Sequence, residues 1–516
     1  MSERSPSLRT NLVANYLGNG WVALISLAVV PGYLRWLGAE GLGLILFWGT
    51  LQGLCSLLDF GLAALVTREA ARLRAGAGAA QDLRNLVRTA EVVCWVTALI
   101  LPAVIALLAW PIATYWLNGS GLSPETLHRA ILLMGAAIGA RWPFTFYSGV
   151  LLGLERQVAL NVLRVVLETM RGPGSLLLLA LVYASPEVFF AWQIAAGVAA
   201  SIASAILVSR LLPRTSGKAS VSVAALRGRA GFALGMNGIA MTTVLLTQTD
   251  KLVLSKLLPL HKLGYYGLAL SVSSGLVHAF SPIMQSFYPR LTHLVQRGNE
   301  AALATLYHRG CQIMSVVVLP LGLTIGFFSR DILLAWTRNP AAAAAAAPVL
   351  SVLVAGTAMN GVMNLPYALQ LANGWTSLAL RINSVAILLT VPLTVVLVSA
   401  FGAIGGATVW ALLNAGYVFV TIPIMHQRLL RGQLREWYLR DVGLPLLAAL
   451  AVVLPASLIA RSSIPRLETV MLMSAIVVAA TGASALAANE VSGWIARRLS
   501  SAPDKPHSDP IGPKND

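Results

Sequence analysis

Long uninterrupted apolar runs constrain this chain more than any other feature. A run of about 20 apolar residues crosses the hydrocarbon core of a bilayer as a helix. Only 11% of the 516 residues are charged and 57% are hydrophobic, whereas soluble domains carry about 25% charged residues. The sequence predicts fourteen spans, at residues 11–34, 41–65, 90–112, 130–153, 158–183, 187–209, 231–257, 264–288, 310–329, 348–372, 377–399, 404–427, 442–460 and 469–489.

These runs define the fold class. Backbone polar groups inside a bilayer must be satisfied within the segment, which favours helices. Barrel strands would be about 10 residues long with alternating polarity, and the runs do not alternate. We therefore expect an all-α polytopic membrane protein of about fourteen helices. This composition excludes a soluble multidomain enzyme, a fibrous protein and a disulfide scaffold.

The distribution of basic residues predicts the orientation. The net charge is +17, from 37 Lys and Arg against 20 Asp and Glu. With the N-terminus in the cytoplasm, 25 of the 37 lie in internal segments, eight in external segments and four inside spans. This is the positive-inside bias of membrane proteins, so the charge does not indicate nucleic acid. It predicts a multi-pass membrane protein with both termini cytoplasmic.

A weak internal repeat predicts two lobes. Asn19-Gly20 recurs at Asn237-Gly238, and "GLGL" at 41–44 corresponds to "LGYYGL" at 263–268. The offset is six spans, an even number, so the halves share orientation, as in parallel-repeat transporters. The predicted divisions are an N-terminal lobe (1–209), a cytoplasmic linker and hinge (210–230), a C-terminal lobe (231–427), a basic loop with spans thirteen and fourteen (428–489) and a disordered tail (490–516).

Charged residues at membrane depth are the candidate functional residues. Arg141 lies in span four, and Arg164, Glu168 and Arg171 lie on one face of span five at spacings of four and three residues. Such charges must face a partner or a wet cavity. One acid does not neutralise three arginines, and planar guanidinium groups suit a diphosphate. We expect these residues to bind substrate, or else to form a structural salt-bridge cluster.

Three other features have functional and structural interpretations. Gly172-Pro173-Gly174 predicts a kink or break in span five, serving either as a hinge or as a tolerated irregularity. Asp250-Lys251, late in span seven, fits an ion-coupling site or gate, or a pair at the membrane interface. Asp59 fits the same roles or a contact with the basic loop. The seven alanines between Pro340 and Pro348 fit either a low-complexity loop or the start of the tenth helix.

Three stretches carry a family resemblance: "NYLGNGWVALISLAVVPGYLRWLGAEGLGL" at 15–44, "LLDFGLAALVTREAARL" at 57–73 and "QTDKLVLSKLLPLHKLGYYGLA" at 248–269. They resemble the polysaccharide-transporter (Wzx-type) branch of the multidrug/oligosaccharidyl-lipid/polysaccharide flippase superfamily. The resemblance implies translocation of undecaprenyl-diphosphate-linked oligosaccharide from the inner to the outer leaflet of the bacterial inner membrane. It also implies partners in glycan polymerisation and export.

Two other functions stay open at this point. One is a cation-coupled multidrug or small-molecule antiporter of the same superfamily, in which Asp250 or Glu168 binds the cation. The other is a membrane-embedded glycolipid enzyme or an assembly scaffold, although the internal loops are rich in arginine and poor in acids. The pattern contains no grouping typical of a nucleophilic enzyme, metal site or phosphate-binding loop. We therefore expect neither catalysis nor a cofactor, and spans thirteen and fourteen are expected to dock the lipid tail or a partner.

Overall fold

The computed structural model describes residues 8–74, 79–119, 121–213, 215–222, 230–459 and 466–493, with side chains omitted at 8–17, 74 and 230–240. Over these ranges the chain is helical and contains no named strand. The helices are α1 Leu8–Cys55, α2 Leu62–Arg74, α3 Ala80–Pro111, α4 Pro124–Gly153, α5 Gln157–Leu181, α6 Pro186–Leu211, α7 Ala230–Leu257, α8 Leu260–Gln296, α9 Glu300–Phe327, α10 Ser329–Thr337, α11 Pro340–Ala372, α12 Thr376–Phe401, α13 Ala403–Gly416, α14 Ile422–Arg428, α15 Leu434–Glu436, α16 Leu444–Ile459 and α17 Arg466–Ala487.

The helices confirm the predicted fold class of a polytopic all-α membrane protein. Within the described residues, ten helical segments are long and apolar enough to cross a membrane. The first of them, Gly18–Asp59, covers most of predicted spans one and two. Predicted spans four, five and seven coincide with α4, α5 and α7, so the ten segments are compatible with fourteen crossings.

Helix α1 shows how one continuous helical segment holds two spans. At Gly38 the backbone adopts φ 69° and ψ −173°, a conformation that breaks the helix and that glycine tolerates best. This is the predicted junction between spans one and two. The predicted end of span two at residue 65 is wrong, because the helix ends at Cys55 and a short turn through Phe60 and Gly61, both with positive φ, leads into α2. Hydropathy does not detect this turn because the flanking residues stay apolar.

Several helices begin at a polar cap followed by proline. The Ser123 Oγ accepts a hydrogen bond from the Thr126 backbone N–H at 3.2 Å, and Asn339 Oδ1 accepts one from the Ala342 N–H at 3.0 Å. Proline fits the next position because its missing N–H would have no helical partner there. The alanine run after Asn339 is therefore the start of α11, and the alternative of a low-complexity loop is wrong.

The two predicted lobes meet most closely where α1 passes α8. An ideal Cβ on Gly264 would lie 1.9 Å from the Ala39 carbonyl oxygen, and one on Gly43 would lie 2.2 Å from the Leu260 carbonyl oxygen. Only glycine permits this backbone contact. The Leu260 N–H also donates to the Asn118 carbonyl oxygen at 2.9 Å, so the lobes are joined at the end predicted to face outwards.

The predicted hinge at 210–230 is described in part. Residues 215–222 run along α3: the Lys218 carbonyl accepts from Gln81 Nε2 at 3.0 Å, and the Ser220 and Ser222 N–H groups donate to Asn85 Oδ1 and Thr89 Oγ1, both at 2.9 Å. These acceptors and donors are spaced four residues apart on α3. The described part of the linker is thus bound to the N-terminal lobe. The hinge role of the linker and the division of the chain into lobes both stay predictions. Most of the predicted tail lies outside the described residues.

Replacing Gly264 with Ala should weaken the contact between α1 and α8. The new Cβ would overlap the Ala39 carbonyl, and overpacking of this kind costs about 1–3 kcal/mol. We expect a lower melting temperature for the purified protein. Gly275→Ala, on the same helix, is the control because its nearest neighbouring atom would lie 3.9 Å away. An unchanged melting temperature for both variants would contradict the close contact.

Candidate functional site

A buried carboxylate held between two arginines forms the centre of the candidate site. The Arg141 Nη2 of α4 donates to Glu168 Oε1 at 2.5 Å, and the Arg171 Nε of α5 donates to Glu168 Oε2 at 2.7 Å. The Glu168 residue is 8% exposed. Burying an ionised carboxylate is tolerated only when it is paired. The three residues therefore join α4 to α5 as an ion cluster.

Arg164 adds positive charge to this cluster without a carboxylate of its own. It lies on α5 one turn before Glu168 and is half-buried. Over the described parts of the chain, no carboxylate lies within salt-bridge distance of its guanidinium group. Three guanidinium groups beside one carboxylate leave two formal positive charges. The structure thus brings together all four residues predicted from the sequence.

A cavity of about 240 Å³ lies beside the cluster. Arg171 and Glu168 line it from α5, whereas Arg141 and Arg164 are outside its lining. Helices of both predicted lobes form its wall, since α1 and α6 face Gly267, Leu268 and Ser271 of α8. The cavity is therefore bounded by the contact between the lobes.

Two uncharged polar side chains in this cavity have no protein partner. The Gln193 Oε1 and the Trp48 Nε1 are buried, line the cavity and make no hydrogen bond. Their residues are 4% and 5% exposed. Leaving such groups unpaired costs about 1–3 kcal/mol each. They supply an acceptor and a donor beside Arg171 that a bound ligand would satisfy. Sequence reasoning missed both because neither residue is charged.

The Gly172-Pro173-Gly174 segment does not break α5, which runs unbroken from Gln157 to Leu181. Of the predicted kink or break, the break does not occur, and the kink stays a prediction. The glycines instead allow close packing: an ideal Cβ on Gly174 would lie 2.6 Å from the Trp192 ring, and one on Gly172 would lie 3.0 Å from Ile25. The Trp192 Nε1 donates to the Arg171 carbonyl oxygen at 3.2 Å. The motif packs the turn of α5 that contains Arg171 against α1 and α6. A hinge role for the motif stays a prediction.

Asp250 and Lys251 form a separate polar contact between α7 and α8. The Tyr266 Oη, whose residue is fully buried, donates to Asp250 Oδ2 at 2.6 Å. The Lys251 Nζ lies 3.1 Å from Asp250 Oδ1 and also donates to the Thr247 carbonyl oxygen. Both charged side chains are 14% exposed. The pair is therefore enclosed by the protein, and its role as a gate or ion-coupling site stays a prediction.

Asp59 lies in the turn before α2, where its Oδ2 accepts the Ala63 backbone N–H at 3.3 Å. This hydrogen bond satisfies a backbone donor in the first turn of α2. The contact with the basic loop and the gating role expected for Asp59 both stay predictions.

The sequence analysis missed a buried His–Asp pair far from the arginine cluster. The Nδ1 of His308, on α9, lies 2.5 Å from Asp441 Oδ2, and Gln312 Nε2 donates to Asp441 Oδ1 at 3.0 Å. Asp441 is 0% exposed. The pair joins α9 to the π-helical turn that precedes α16. The 133 residues between the partners explain why no local sequence pattern indicated it. Among the described residues, no three His, Cys, Asp or Glu side chains cluster as metal ligands.

Solved structures of membrane transporters and flippases share this polytopic all-α fold. The structure titled "Lipid II flippase MurJ, inward closed conformation" is 12% identical, has a TM-score of 0.65 and covers 95% of this chain and 99% of its own. An inward-facing multidrug resistance MATE family transporter is 13% identical and has a TM-score of 0.61. The match covers 79% of this chain and 96% of the transporter. A third structure is a multidrug/oligosaccharidyl-lipid/polysaccharide superfamily transporter from Pyrococcus furiosus, described as having a binding pocket of reversed polarity. It is 15% identical and has a TM-score of 0.51, and the match covers 82% of this chain and 95% of that transporter.

The sequence places the chain more narrowly. The family described as "Polysaccharide biosynthesis protein" matches residues 8–295, more than half of the chain, and the MatE family matches residues 238–396. The chain therefore belongs to the polysaccharide biosynthesis protein family, within the multidrug/oligosaccharidyl-lipid/polysaccharide flippase superfamily. Among curated protein sequences, none matches the chain significantly. The resemblance to this superfamily inferred from the sequence is confirmed, and the protein is a multi-pass membrane transporter or flippase.

Replacing Glu168 with Gln should destabilise the protein, because it leaves Arg141 and Arg171 without their counter-charge. Breaking a buried ion pair costs up to about 3–5 kcal/mol, and the 23% and 28% exposure of the two arginine side chains reduces that cost. Thermal unfolding of the purified protein measures the effect. Glu436→Gln, in a solvent-exposed pair with Arg440 at 3.1 Å, is the control and should cost less than about 1 kcal/mol. Equal shifts for the two variants would contradict a central structural role for Glu168.

Proposed function

We propose that this protein translocates an undecaprenyl-diphosphate-linked oligosaccharide across the bacterial inner membrane. The oligosaccharide is a repeat unit of O-antigen, capsule or exopolysaccharide, and it moves from the inner to the outer leaflet. The observation that supports this function best is the surplus positive charge beside the cavity between the lobes. Both termini are taken to be cytoplasmic, as the basic loops predict.

The arginine cluster has the chemistry of a diphosphate site. Arg171 uses its Nε and one terminal nitrogen on Glu168, and Arg141 uses one terminal nitrogen. A guanidinium group has five N–H donors, so both retain donors for phosphate oxygens. The Trp48 N–H offers a further donor in the cavity wall. Glu168 holds the two arginines in place and limits their net charge to a level that a bound diphosphate neutralises.

An apolar cavity for the lipid tail lies near spans nine, ten, twelve and thirteen. Its volume is about 660 Å³, and it is lined by α9, α11 and the segment around Phe419, Trp437 and Leu446. Burial of hydrocarbon in such a cavity is favourable by about 0.8 kcal/mol for each CH₂ group. We assign part of the polyprenyl chain to this cavity. Of the two spans outside the repeat, span thirteen contributes to the lining, and tail docking by span fourteen stays a prediction.

Alternating access follows from the position of the arginine-lined cavity between α1 and α8. In this conformation the lobes touch at the predicted outer end through Gly43 and Gly264, and the Trp116 Nε1 donates to Ser255 Oγ at 3.0 Å. Separation of these contacts would open the cavity to the outer side. The headgroup would then leave while the tail stays in the bilayer.

A cation-coupled antiporter is the second candidate, and the MatE match at residues 238–396 favours it. In that mechanism a free carboxylate near the cavity binds the cation. Glu168 is the single carboxylate among the described residues that line the arginine-lined cavity, and two arginines already neutralise it. Asp250 is hydrogen-bonded to Tyr266 and paired with Lys251. The charge balance around the cavity therefore favours an anionic substrate.

Replacing Arg171 with Ala should weaken binding of undecaprenyl diphosphate by about 10- to 100-fold, because a hydrogen bond to a charged group contributes about 1.5–3 kcal/mol. Arg141→Ala and Arg164→Ala, which change residues outside the cavity lining, should have a similar effect through loss of charge. Lysine at each position should restore part of the affinity, since it keeps the charge but not the planar fork. The measurement is the dissociation constant in nanodiscs, together with surface glycan output in cells.

The matched control is Arg72→Ala, which removes a surface arginine paired with Glu69 at 3.2 Å. It should leave binding and glycan output unchanged. Normal affinity for undecaprenyl diphosphate in all three alanine variants, with normal protein levels, would contradict the proposed function. Loss of cation-dependent drug efflux in Asp250→Asn, with unaffected glycan output, would favour the antiporter.

A further inference from the structure

A second polar cavity lies within the C-terminal lobe. Its volume is about 270 Å³, and it is bounded by α7, α11, α12, α13 and the π-helical turn Tyr417–Thr421. This volume is close to the lower limit of small-molecule pockets, about 300 Å³. Single π-helical turns inside α-helices often occur at functional sites. Here the turn supplies two of the lining residues, Tyr417 and Thr421.

Two buried side chains in this cavity have no hydrogen-bond partner. Both amide atoms of Gln370 are unpaired, although the residue is 1% exposed, and Thr421 Oγ1 is unpaired at 4% exposure. A buried amide without partners costs about 1–3 kcal/mol. Such groups are retained against that cost when a ligand or water satisfies them. Together they carry three N–H or O–H donors and two acceptor oxygens.

The other polar groups of the wall are held in fixed positions. Asn360 Nδ2 donates to Asn414 Oδ1 at 2.8 Å, and the Tyr417 Oη donates to Asn383 Oδ1 at 2.9 Å. The Trp410 Nε1 donates to Thr357 Oγ1 at 3.2 Å. The wall therefore presents oriented amides beside the rings of Tyr367, Trp410 and Tyr417.

The wall is also neutral: none of its described residues is an acid or a base. This contrasts with the arginine-lined cavity between the lobes. A neutral site discriminates against charged ligands, because a charge moved into it would have no counter-charge. Amide groups donate and accept hydrogen bonds at the same time, as sugar hydroxyls do. Aromatic rings provide a flat apolar surface with a polar edge, which matches the C–H face of a pyranose ring.

We propose that the cavity of the C-terminal lobe binds an uncharged sugar of the cargo. This inference rests on the proposed function and assigns two parts of the cargo to two sites. The arginine-lined cavity binds the diphosphate, and the cavity of the C-terminal lobe binds the glycan. Gln370 and Thr421 make the hydrogen bonds to sugar hydroxyl or acetamido groups. Tyr367, Trp410 and Tyr417 contact the pyranose face. A sugar that carries a carboxylate or phosphate is disfavoured at this site.

The test compares two lipids on the same purified, full-length protein in nanodiscs. One is undecaprenyl diphosphate, and the other is the undecaprenyl-diphosphate-linked glycan that accumulates in cells lacking this protein. The variants are Gln370→Met and Thr421→Val, alone and combined, because each removes polar atoms at nearly constant volume. The double variant should bind the glycan lipid about 10-fold or more weakly, as expected for the loss of two or more hydrogen bonds. Its affinity for undecaprenyl diphosphate should be unchanged.

Two controls separate binding from folding. Asn373→Ala changes an amide on the same helix, where Asn373 Nδ2 donates to the Leu369 carbonyl at 2.9 Å outside the cavity, and should leave both affinities unchanged. The melting temperature of Gln370→Met should not fall, because the amide it removes has no partner in the protein.

An equal loss for both lipids, or no loss in the double variant, would overturn the sugar site while leaving the proposed function intact. Failure of the unmodified protein to bind undecaprenyl diphosphate would contradict the proposed function and this inference with it.

Discussion

The ion cluster around Glu168 is the interaction on which the account of this protein depends. A carboxylate enclosed between Arg141 and Arg171 joins α4 to α5 and fixes the direction of two guanidinium groups at membrane depth. In hydrocarbon, each such charge alone would oppose insertion by about 2.5–3.5 kcal/mol. Pairing removes part of that cost, and the paired Arg171 and Glu168 line a cavity. The same contacts join the two helices and would position guanidinium groups for the proposed diphosphate.

The two cavities differ in chemistry. The arginine-lined cavity between the predicted lobes contains Arg171 and Glu168, whereas the cavity of the predicted C-terminal lobe is lined by amides, hydroxyls, aromatic rings and apolar side chains, without a charged side chain among the described residues. Both contain buried polar atoms that the protein leaves unpaired. A lipid-linked glycan has a charged diphosphate next to neutral sugars, so this asymmetry corresponds to the polarity of the proposed cargo.

Much of the fold was predictable because a membrane-spanning helix is a run of about 20 predominantly apolar residues, which the sequence shows directly. Apolar runs identify the long helices, and Gly38 lies where two spans were expected to meet. The end of span two was not predictable from hydropathy, since the turn at Phe60 and Gly61 depends on local backbone conformation. Of the kink or break expected at Pro173, the break does not occur, because α5 is helical from Gln157 to Leu181.

The charged members of the site were predictable for a related reason. Arg141, Arg164, Glu168 and Arg171 stand out because charge is rare in a span. The pairing of Glu168 with Arg141 was not predictable from the sequence, because it depends on how two neighbouring helices pack. The neutral residues Gln193, Trp48 and Gln370 were not predictable either, because nothing in the sequence distinguishes them from the many similar residues.

A cryo-electron microscopy map of the protein with undecaprenyl diphosphate tests the central claim most directly. The account predicts phosphate density within hydrogen-bonding distance of the Arg171 guanidinium group. Phosphate density elsewhere, with this cavity empty, would contradict it.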